Sequence, residues 1–586
     1  MAAFRATRMR EAAGLTALAA CLGLCGITWG LPSRARVALV MPAGLDNQEF
    51  HKELENSWVK MHARLGANLM LNPEAYATFA GVERFEAGWS FPPAGLINSV
   101  RSFYTRSAHE DEQTNLLVLS RMKPRNLDFN PHFFAYGGAY IYALGAWLAA
   151  SAALGLVSLH GGLAPYLADP GKMGALYLAG RLFSVAAYAG CALMLLRIGR
   201  RHFDSATGAL AALLFLLLPT SVALAHTMKH YTYWTFIVLL LLDRCAALLG
   251  NGGWRLYAAA GALSGLAVGA FIPSWPAVLV VACVAVVRVV LGRGAVRFEA
   301  RGLALAALCS AAAFALSNPY WVLDFKNAYA EISGMARLPV SLWNPVLFAR
   351  GALRRSMTLP MLGGMFCSAA WALTRGRRDP PLFFTALAFV IGMAVTVMIN
   401  GAPTSWARYV LAWTAVGSLL TARAALEVLR SCKKQRAWIL AALVFALVNQ
   451  GLEALTYAEN FRVDATPSST HVLAGRWLTE HVPAGASVGL LRAPQPASVP
   501  YFCLNRYELR LIKSRLFGTL PGPELPRYLV LTMPDYDDRP ALNPNLSRYE
   551  RVAVFERAQL VFWLRVDPQA ITANPLIEIY RLKDHA

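Results

Sequence analysis

The chain has 586 residues, of which 56% are hydrophobic and only 15% charged, with a mean hydropathy of +0.41. An ordinary soluble domain carries about 25% charged residues, so this composition excludes a soluble globular protein and indicates a polytopic membrane protein. The formal net charge of +21 does not require nucleic acid: Lys and Arg accumulate in cytoplasmic loops, where they meet anionic headgroups and phosphates, and no nucleic-acid module is visible.

Residues 12–31 form the first apolar segment. Arg5, Arg8 and Arg10 precede it, which reads as a signal anchor with a cytoplasmic N-terminus; a cleaved signal peptide is the alternative. A long polar stretch follows at 32–132. Within it, Asp46 and Glu49 resemble a capping box, and Phe50, Leu54, Trp58, Met61 and Leu65 recur at helical spacing. An amphipathic helix is expected there, lying on the membrane or packed on the domain. Next comes Ser107–Tyr136, with Glu110, Asp111 and Glu112 adjacent. Ser107 and Glu110 have capping-box spacing, and acids in a first helical turn are stabilised by the macrodipole. Ordinary helix-start chemistry therefore accounts for all three acids; an active site is the other reading.

Further apolar segments lie at 133–159, 174–196, 205–222, 231–249, 254–272, 277–292, 302–317, 357–374, 381–400, 409–427 and 437–456. Basic loops test the topology: Arg197/Arg200/Arg201, Arg244/Arg255, Arg288/Arg293/Arg297/Arg301, Arg375/Arg377/Arg378 and Arg430/Lys433/Lys434/Arg436. All become cytoplasmic only if 133–159 does not cross. That segment is rich in Gly, Ala and Tyr and reads as a juxtamembrane or re-entrant helix, which leaves eleven spans; a complete span there is the alternative. The acid cluster, the His226–Tyr231 turn, the Asn318–Met357 loop, the Arg408 turn and everything after about 457 then share the outer side, which is the working face.

Residues 458–586 change character. A helix after Thr466-Pro467 runs to His481, and strand-like runs follow at Ser487–Leu491, Glu508–Lys513, Tyr528–Thr532, Arg551–Phe555 and Ile577–Leu582. A small soluble α/β domain is expected. It has no GxGxxG, phosphate loop or nucleophile elbow. The nine cysteines include no CxxC pair, so neither zinc nor a disulfide framework is suggested.

Four polar clusters face the outer side. The first is the acid cluster: a carboxylate at the membrane surface can accept the proton of an acceptor hydroxyl or amine, while Arg, Lys, His or a metal assists a phosphate leaving group. The second is His226-Thr227-Met228-Lys229-His230-Tyr231. Ionisable groups at a membrane boundary are functional when they face a cavity, against snorkelling and aromatic-belt placement as the bland reading. The His226–His230 spacing could put both imidazoles on one helical face, a weak metal signal. The third is Asn318-Pro319-Tyr320-Trp321-Val322-Leu323-Asp324. A span terminus explains it, although Asp324 and the later Arg354 and Arg355 could meet a ligand. The fourth is Trp406-Ala407-Arg408-Tyr409. An arginine at an outer helix end asks for an anionic partner, a lipid phosphate or headgroup being the simplest.

Taken in order, these features resemble the GT-C superfamily of membrane glycosyltransferases. The nearest likeness is to glycosyltransferase family 39 and its bacterial relatives, the protein O-mannosyltransferases and the lipid A aminoarabinose transferase. Asp111-Glu112 is similar to the family's acidic motif. His132-Phe133-Phe134-Ala135-Tyr136-Gly137-Gly138-Ala139-Tyr140 stands where the family has a His/Lys-Pro-Pro-Leu-Tyr segment, without either proline. Gly180-Arg181-Leu182-Phe183-Ser184, Leu218-Pro219, Ala225-His226, Asn318–Asp324 and Arg408-Tyr409 resemble later motifs. Tyr231 stands where a second outer acid would be, with His230 beside it. The resemblance implies a polytopic α-helical fold with a catalytic domain over 1–457, a first periplasmic loop over 32–173, and a periplasmic α/β domain over 458–586. It implies an inverting transferase using a polyprenyl-phosphate sugar and acting on a protein, lipid or glycan acceptor; the Ala/Arg-rich composition suggests the periplasmic face of a bacterial inner membrane, and a lumenal face of the endoplasmic reticulum would read the same. Asp111 would be the base and Glu112 its helper. Lys229, His230 and Arg408 are candidates for the donor phosphate, Tyr136 and Tyr140 for the lipid or acceptor groove, and His226, Tyr231, Tyr320 and Asp324 stand as further candidates. No cofactor is identified, and a divalent metal is left open. A lipid-linked sugar flippase and a non-catalytic scaffold are the competing readings.

Overall fold

The computed structural model describes residues 2–42, 44–65, 79, 81–109, 111–335, 353, 357–375, 378–399, 407–532, 539–557 and 573–583. Glu110, Arg354, Arg355 and Trp406 lie outside the described residues. Among the described residues seven helices are long and apolar enough to cross a bilayer: Pro170–His202, Tyr231–Gly250, Ile272–Val290, Val296–Ser317, Pro380–Met398, Arg408–Ser431 and Lys433–Asp464. Three further apolar helices are Ala2–Leu24, Trp254–Ala270 and Leu359–Arg375. The chain is a multi-pass membrane protein. The Gly138–Ala153 helix has 16 residues, about 24 Å at 1.5 Å per residue.

Ser205–Leu216 and Pro219–Ala225 form one bent unit with a 67° break. Pro219 is the cause, since it has no N–H to continue the ladder and opens the second helix at its first turn. The Ser221 hydroxyl lies 2.6 Å from the Phe215 carbonyl and 2.8 Å from that of Leu218, covering carbonyls that the break exposes. The short second helix then delivers the 226–230 turn to one end of the bundle.

Above that end lies a sheet with six strands among the described residues, in the order β1-β3-β2-β4-β6-β5. Its strands are β1 (Val82–Phe85), β2 (Ser487–Leu490), β3 (Glu508–Ile512), β4 (Tyr528–Thr532), β5 (Tyr549–Phe555) and β6 (Ile577–Leu582). β2 runs parallel to β3 and β4, while the other pairings are antiparallel. β1 belongs to the first loop, and Val82 pairs with Ile512. Its four residues carry no alternating apolar pattern, which is why it is silent in the sequence. Loop and C-terminal segment also share one core, in which Phe50, Leu54, Phe103 and Tyr104 pack with Val488, Leu509, Val530 and Ile579.

The amphipathic helix spans Gln48–Leu65. Asn47, not Asp46, caps it, accepting from the Phe50 N–H at 3.0 Å. Asp46 is drawn off to the Tyr104 hydroxyl at 2.8 Å and the His51 ring at 2.6 Å. Arg36 is buried and clips the loop to itself, donating to the carbonyls of Gly30, Phe103 and Arg106.

Gly137 marks a close backbone crossing, for a Cβ there would sit 1.8 Å from the Gly269 carbonyl oxygen. Gly161 has open space around its Cβ position. Gly137→Ala is expected to destabilise the protein by about 1–3 kcal/mol through overpacking, and Gly161→Ala to leave it unchanged. Thermal unfolding of both variants in lipid nanodiscs checks the difference.

Candidate active site

Three distant segments converge at the end of the bundle beneath the sheet. The Glu112–Arg121 helix starts with Asp111 at its N-cap, yet the Asp111 side chain makes no capping bond. Its carboxylate instead meets Lys229 Nζ at 3.1 Å and an Arg408 terminal nitrogen at 3.5 Å. The helix begins after the Ser107/Glu110 position suggested by capping-box spacing, and Asp111 is held by two charges in place of a cap bond. The Ser107 hydroxyl bonds Glu112 at 2.5 Å.

Lys229 has only 2% of its side chain exposed, whereas Asp111 keeps 38%. The ammonium also contacts the Tyr136 hydroxyl and lies 4.1 Å from the centre of that ring. Burial lowers the Lys229 pKa to about 8, with Asp111 opposing the shift. Burial by itself works to raise the Asp111 carboxyl; Lys229, then Arg408, outweigh it and hold Asp111 well below the usual carboxylate range. Arg408 lies 5.6 Å from the Tyr231 ring and 5.7 Å from that of Tyr409. The anionic partner this arginine asks for is thus, within the chain, Asp111. His109, in the same short stretch, accepts from the Asp111 N–H at 3.3 Å, and burial pushes its imidazole down to about 4, so it stands neutral beside the acid.

Glu112 differs entirely from its neighbour. It is fully buried and bidentate with Arg181, at 2.9 and 2.8 Å, and its Oε1 accepts from the Met228 N–H at 2.7 Å. Burial would raise this carboxyl, but Arg181 prevails and lowers it. Asn115 reinforces the same joint, donating to the Met228 carbonyl at 2.6 Å. These contacts fasten the first-loop helix to the residue preceding Lys229. Arg181, part of the Gly180–Ser184 motif, is its counter-charge and also donates to the Ile27 and Trp29 carbonyls.

His226 and His230 do not share a helical face, because 226–230 is a turn. His226 stacks on Phe461 at 4.2 Å, with its ring nitrogens 2.8 Å from the Val222 and Cys25 carbonyls. His230 is buried among rings, stacked on Phe271 at 4.8 Å and packed near Tyr136 at 5.0 Å and Tyr140 at 5.7 Å. Burial first, then Lys229, lowers its pKa well below the usual value. It walls the Lys229 pocket, with both ring nitrogens buried and without a hydrogen-bond partner among the described residues. Tyr140 is fully buried, and Tyr231 packs beside Phe271 and Tyr409.

Tyr320 and Asp324 act on the first loop and not on Asp111. The Tyr320 hydroxyl accepts from the Phe129 N–H at 3.1 Å, and Asp324 accepts from the Asn130 side chain at 3.1 Å. Glu331, which no sequence motif singles out, accepts from the Phe134 and Ala135 N–H groups at 3.0 and 2.7 Å, and Asn318 from the Gly138 N–H at 2.5 Å. Together they hold the segment that presents Tyr136.

Among the described residues no group of three or more His, Cys, Asp and Glu could hold a metal ion. Among the described residues Asp111 faces two positive charges, and the other described acid of the same stretch, Glu112, is paired with Arg181.

No protein-family model matches the chain, and no curated protein matches it. Among solved structures it is similar to the oligosaccharyltransferase of Archaeoglobus fulgidus in the apo form, at 13% identity and a TM-score of 0.43, covering 74% of this chain and 68% of that one. The same archaeal enzyme in complex with Zn and sulfate is similar at 15% identity and a TM-score of 0.43, covering 76% and 66%. ArnT from Cupriavidus metallidurans bound to undecaprenyl phosphate is similar at 12% identity and a TM-score of 0.39, covering 89% and 98%.

Glu112→Ala is expected to cost about 3–5 kcal/mol by leaving Arg181 buried and unpaired, whereas Glu112→Met with Arg181→Met recovers most of that loss. Chemical unfolding in detergent–lipid micelles measures both.

Proposed function

We propose that this protein is an inner-membrane glycosyltransferase of the GT-C kind. It transfers a sugar from a polyprenyl-phosphate donor to a protein, lipid or glycan acceptor at the periplasmic end of the bundle. The proposed topology has eleven spans: the seven long helices, the bent 205–225 unit, and the helices at Ala2–Leu24, Trp254–Ala270 and Leu359–Arg375. Residues 1–457 form the catalytic domain and 458–586 the periplasmic α/β domain, to which the first loop adds β1. The observation that carries the reading is the ion-paired triad Asp111–Lys229–Arg408, a carboxylate between two cations at the end of a membrane bundle.

The chemistry follows from that pairing. A polyprenyl-phosphate donor keeps its tail in the bilayer, so its phosphate arrives at the boundary, where Lys229 and Arg408 are fixed. A phosphodiester competes with Asp111 for both cations. Once they turn to the phosphate, Asp111 loses the charges that depress its pKa and becomes a better base. An acceptor O–H or N–H then attacks the anomeric carbon. The new C–O or C–N bond forms as the C–O(phosphate) bond breaks, the acceptor proton passes to Asp111, and the lipid phosphate leaves stabilised by Lys229 and Arg408. Attack opposite the leaving group inverts the anomeric centre. No metal step is needed in this scheme, since the two cations carry the charge of the leaving group. Binding both substrates side by side makes the step effectively unimolecular.

The test is transfer from radiolabelled polyprenyl-phosphate sugars by purified protein in lipid. Asp111→Asn should lose turnover by about 10²–10⁴-fold while binding polyprenyl phosphate at least as tightly, because an internal competitor has been removed. Unchanged turnover in that variant overturns the assignment of the base, and phosphate binding without turnover of any donor by the wild type favours a flippase. The pH profile tests Lys229 separately. In the free protein this ammonium is charged below about pH 8 and neutral above it. The value of kcat/KM is therefore expected to fall as pH rises through about 8, and Lys229→Arg to remove that alkaline limb.

A further inference from the structure

The opposite end of the bundle carries a second concentration of charge that the transfer chemistry does not use. Asp243 lies in the Tyr231–Gly250 helix, 13 residues beyond His230 and so about 20 Å further along the axis. Its side chain is fully buried, and four basic groups converge on it: Arg244 at 3.1 Å, Arg201 at 3.2 Å, His202 at 3.2 Å and Arg197 at 3.6 Å. The three arginines remain partly open to solvent, with 31%, 43% and 54% of their side chains exposed respectively. A single carboxylate neutralises one of them.

A cavity of about 310 Å³ opens beside this fan, lined by Arg201, His202, Asn251, Leu256, Arg293 and Pro381 among others. Arg293 adds another guanidinium, whose recorded bond is to the Leu249 carbonyl at 3.2 Å. The neighbouring acids are committed elsewhere. Glu299 pairs with Arg288 at 2.9 Å. Asp379 accepts from the Leu382 N–H at 3.2 Å and faces Arg423. Asp204 accepts from the Thr207 N–H at 2.8 Å and pairs with Arg423 and Arg430. The cavity therefore has an excess of positive charge, oriented by a buried anion and bordered by apolar helix ends. Loop arginines that served topology alone would need neither a buried carboxylate to aim them nor a cavity to aim into.

We propose that this cavity binds a phosphate group carried by an anionic phospholipid of the leaflet opposite the candidate active site. Basic pockets between helix ends suit such headgroups, and guanidinium groups suit phosphate oxygens in particular. Leu256 and Pro381 give the glycerol and upper acyl region an apolar border. The site stands on its own residues and does not depend on the transferase reading.

The test uses the full chain purified in detergent. Retention of added phosphatidylglycerol or phosphatidylcholine is measured by native mass spectrometry, and thermal stabilisation is followed in parallel. Wild type is compared with Arg201→Gln/Arg293→Gln, which leaves Asp243 paired with Arg197, His202 and Arg244, and with Arg297→Gln as a control on an exposed helix face. Phosphatidylglycerol should be retained and stabilising in the wild type and the control, and retained roughly tenfold less by the double variant, with phosphatidylcholine alike in all three. Stabilisation by inorganic phosphate, lost in the double variant and not exceeded by phosphatidylglycerol, supports the phosphate site with a soluble source. Equal phosphatidylglycerol retention by wild type and double variant, with no effect of inorganic phosphate, overturns the proposal.

Discussion

A lysine with almost no exposed surface cannot stay charged at the end of a membrane bundle without an anion, and Asp111 is the anion this chain supplies. Around that requirement the remaining contacts fall into place. Arg408 comes to the same carboxylate from the start of a late helix. The rings of Tyr136, Tyr231 and Tyr409 flank the two cations. The pairing is open to exchange, because Asp111 retains partial exposure while Lys229 does not. An incoming anion therefore has access to the site from the carboxylate's side.

Two adjacent acids serve two different ends because their surroundings differ. Glu112 is wholly enclosed and held by Arg181, Ser107 and the Met228 backbone, so it joins the first loop to the 226–230 turn. Asp111, one residue earlier, lies outside that joint and faces the cations. Gly180 lets the joint close, since a Cβ there would collide with Met228. A chain of packing contacts thus fixes where Lys229 stands, and the exchangeable charge is confined to one carboxylate.

Much of this was legible in the residues. The apolar segments, the basic loops, the 107–136 stretch and the Arg408-Tyr409 pair all pointed to places that the structure brings together or sets at bundle ends. What periodicity could not reveal was partnership. The two histidines of the 226–230 stretch have the spacing of a helical face, but Pro219 breaks the preceding span and the stretch turns, sending one ring to Phe461 and the other to Phe271. Tyr320 and Asp324 sit in a motif, yet their partners are backbone and Asn130 in a loop nearly two hundred residues away. Glu331 is one solvated-looking acid among many until the Phe134 and Ala135 amides close on it. Strand β1 is four residues of mixed polarity, and only β3 makes it a strand.

That last pairing has a bearing on biosynthesis. Val82 waits for Ile512, some 430 residues later in the chain. At translation rates of about 5–20 residues per second, the loop that carries β1 waits tens of seconds before its partner strand exists. During that interval β3 cannot cover β1, and the loop's apolar side chains Phe50, Leu54 and Phe103 lack the C-terminal half of their core. The sheet is completed after the helices have been made, so a chain truncated before residue 508 would carry the helix bundle beneath an open roof. Quality-control proteases that survey the membrane surface would have a direct sign of incomplete synthesis in that uncovered edge.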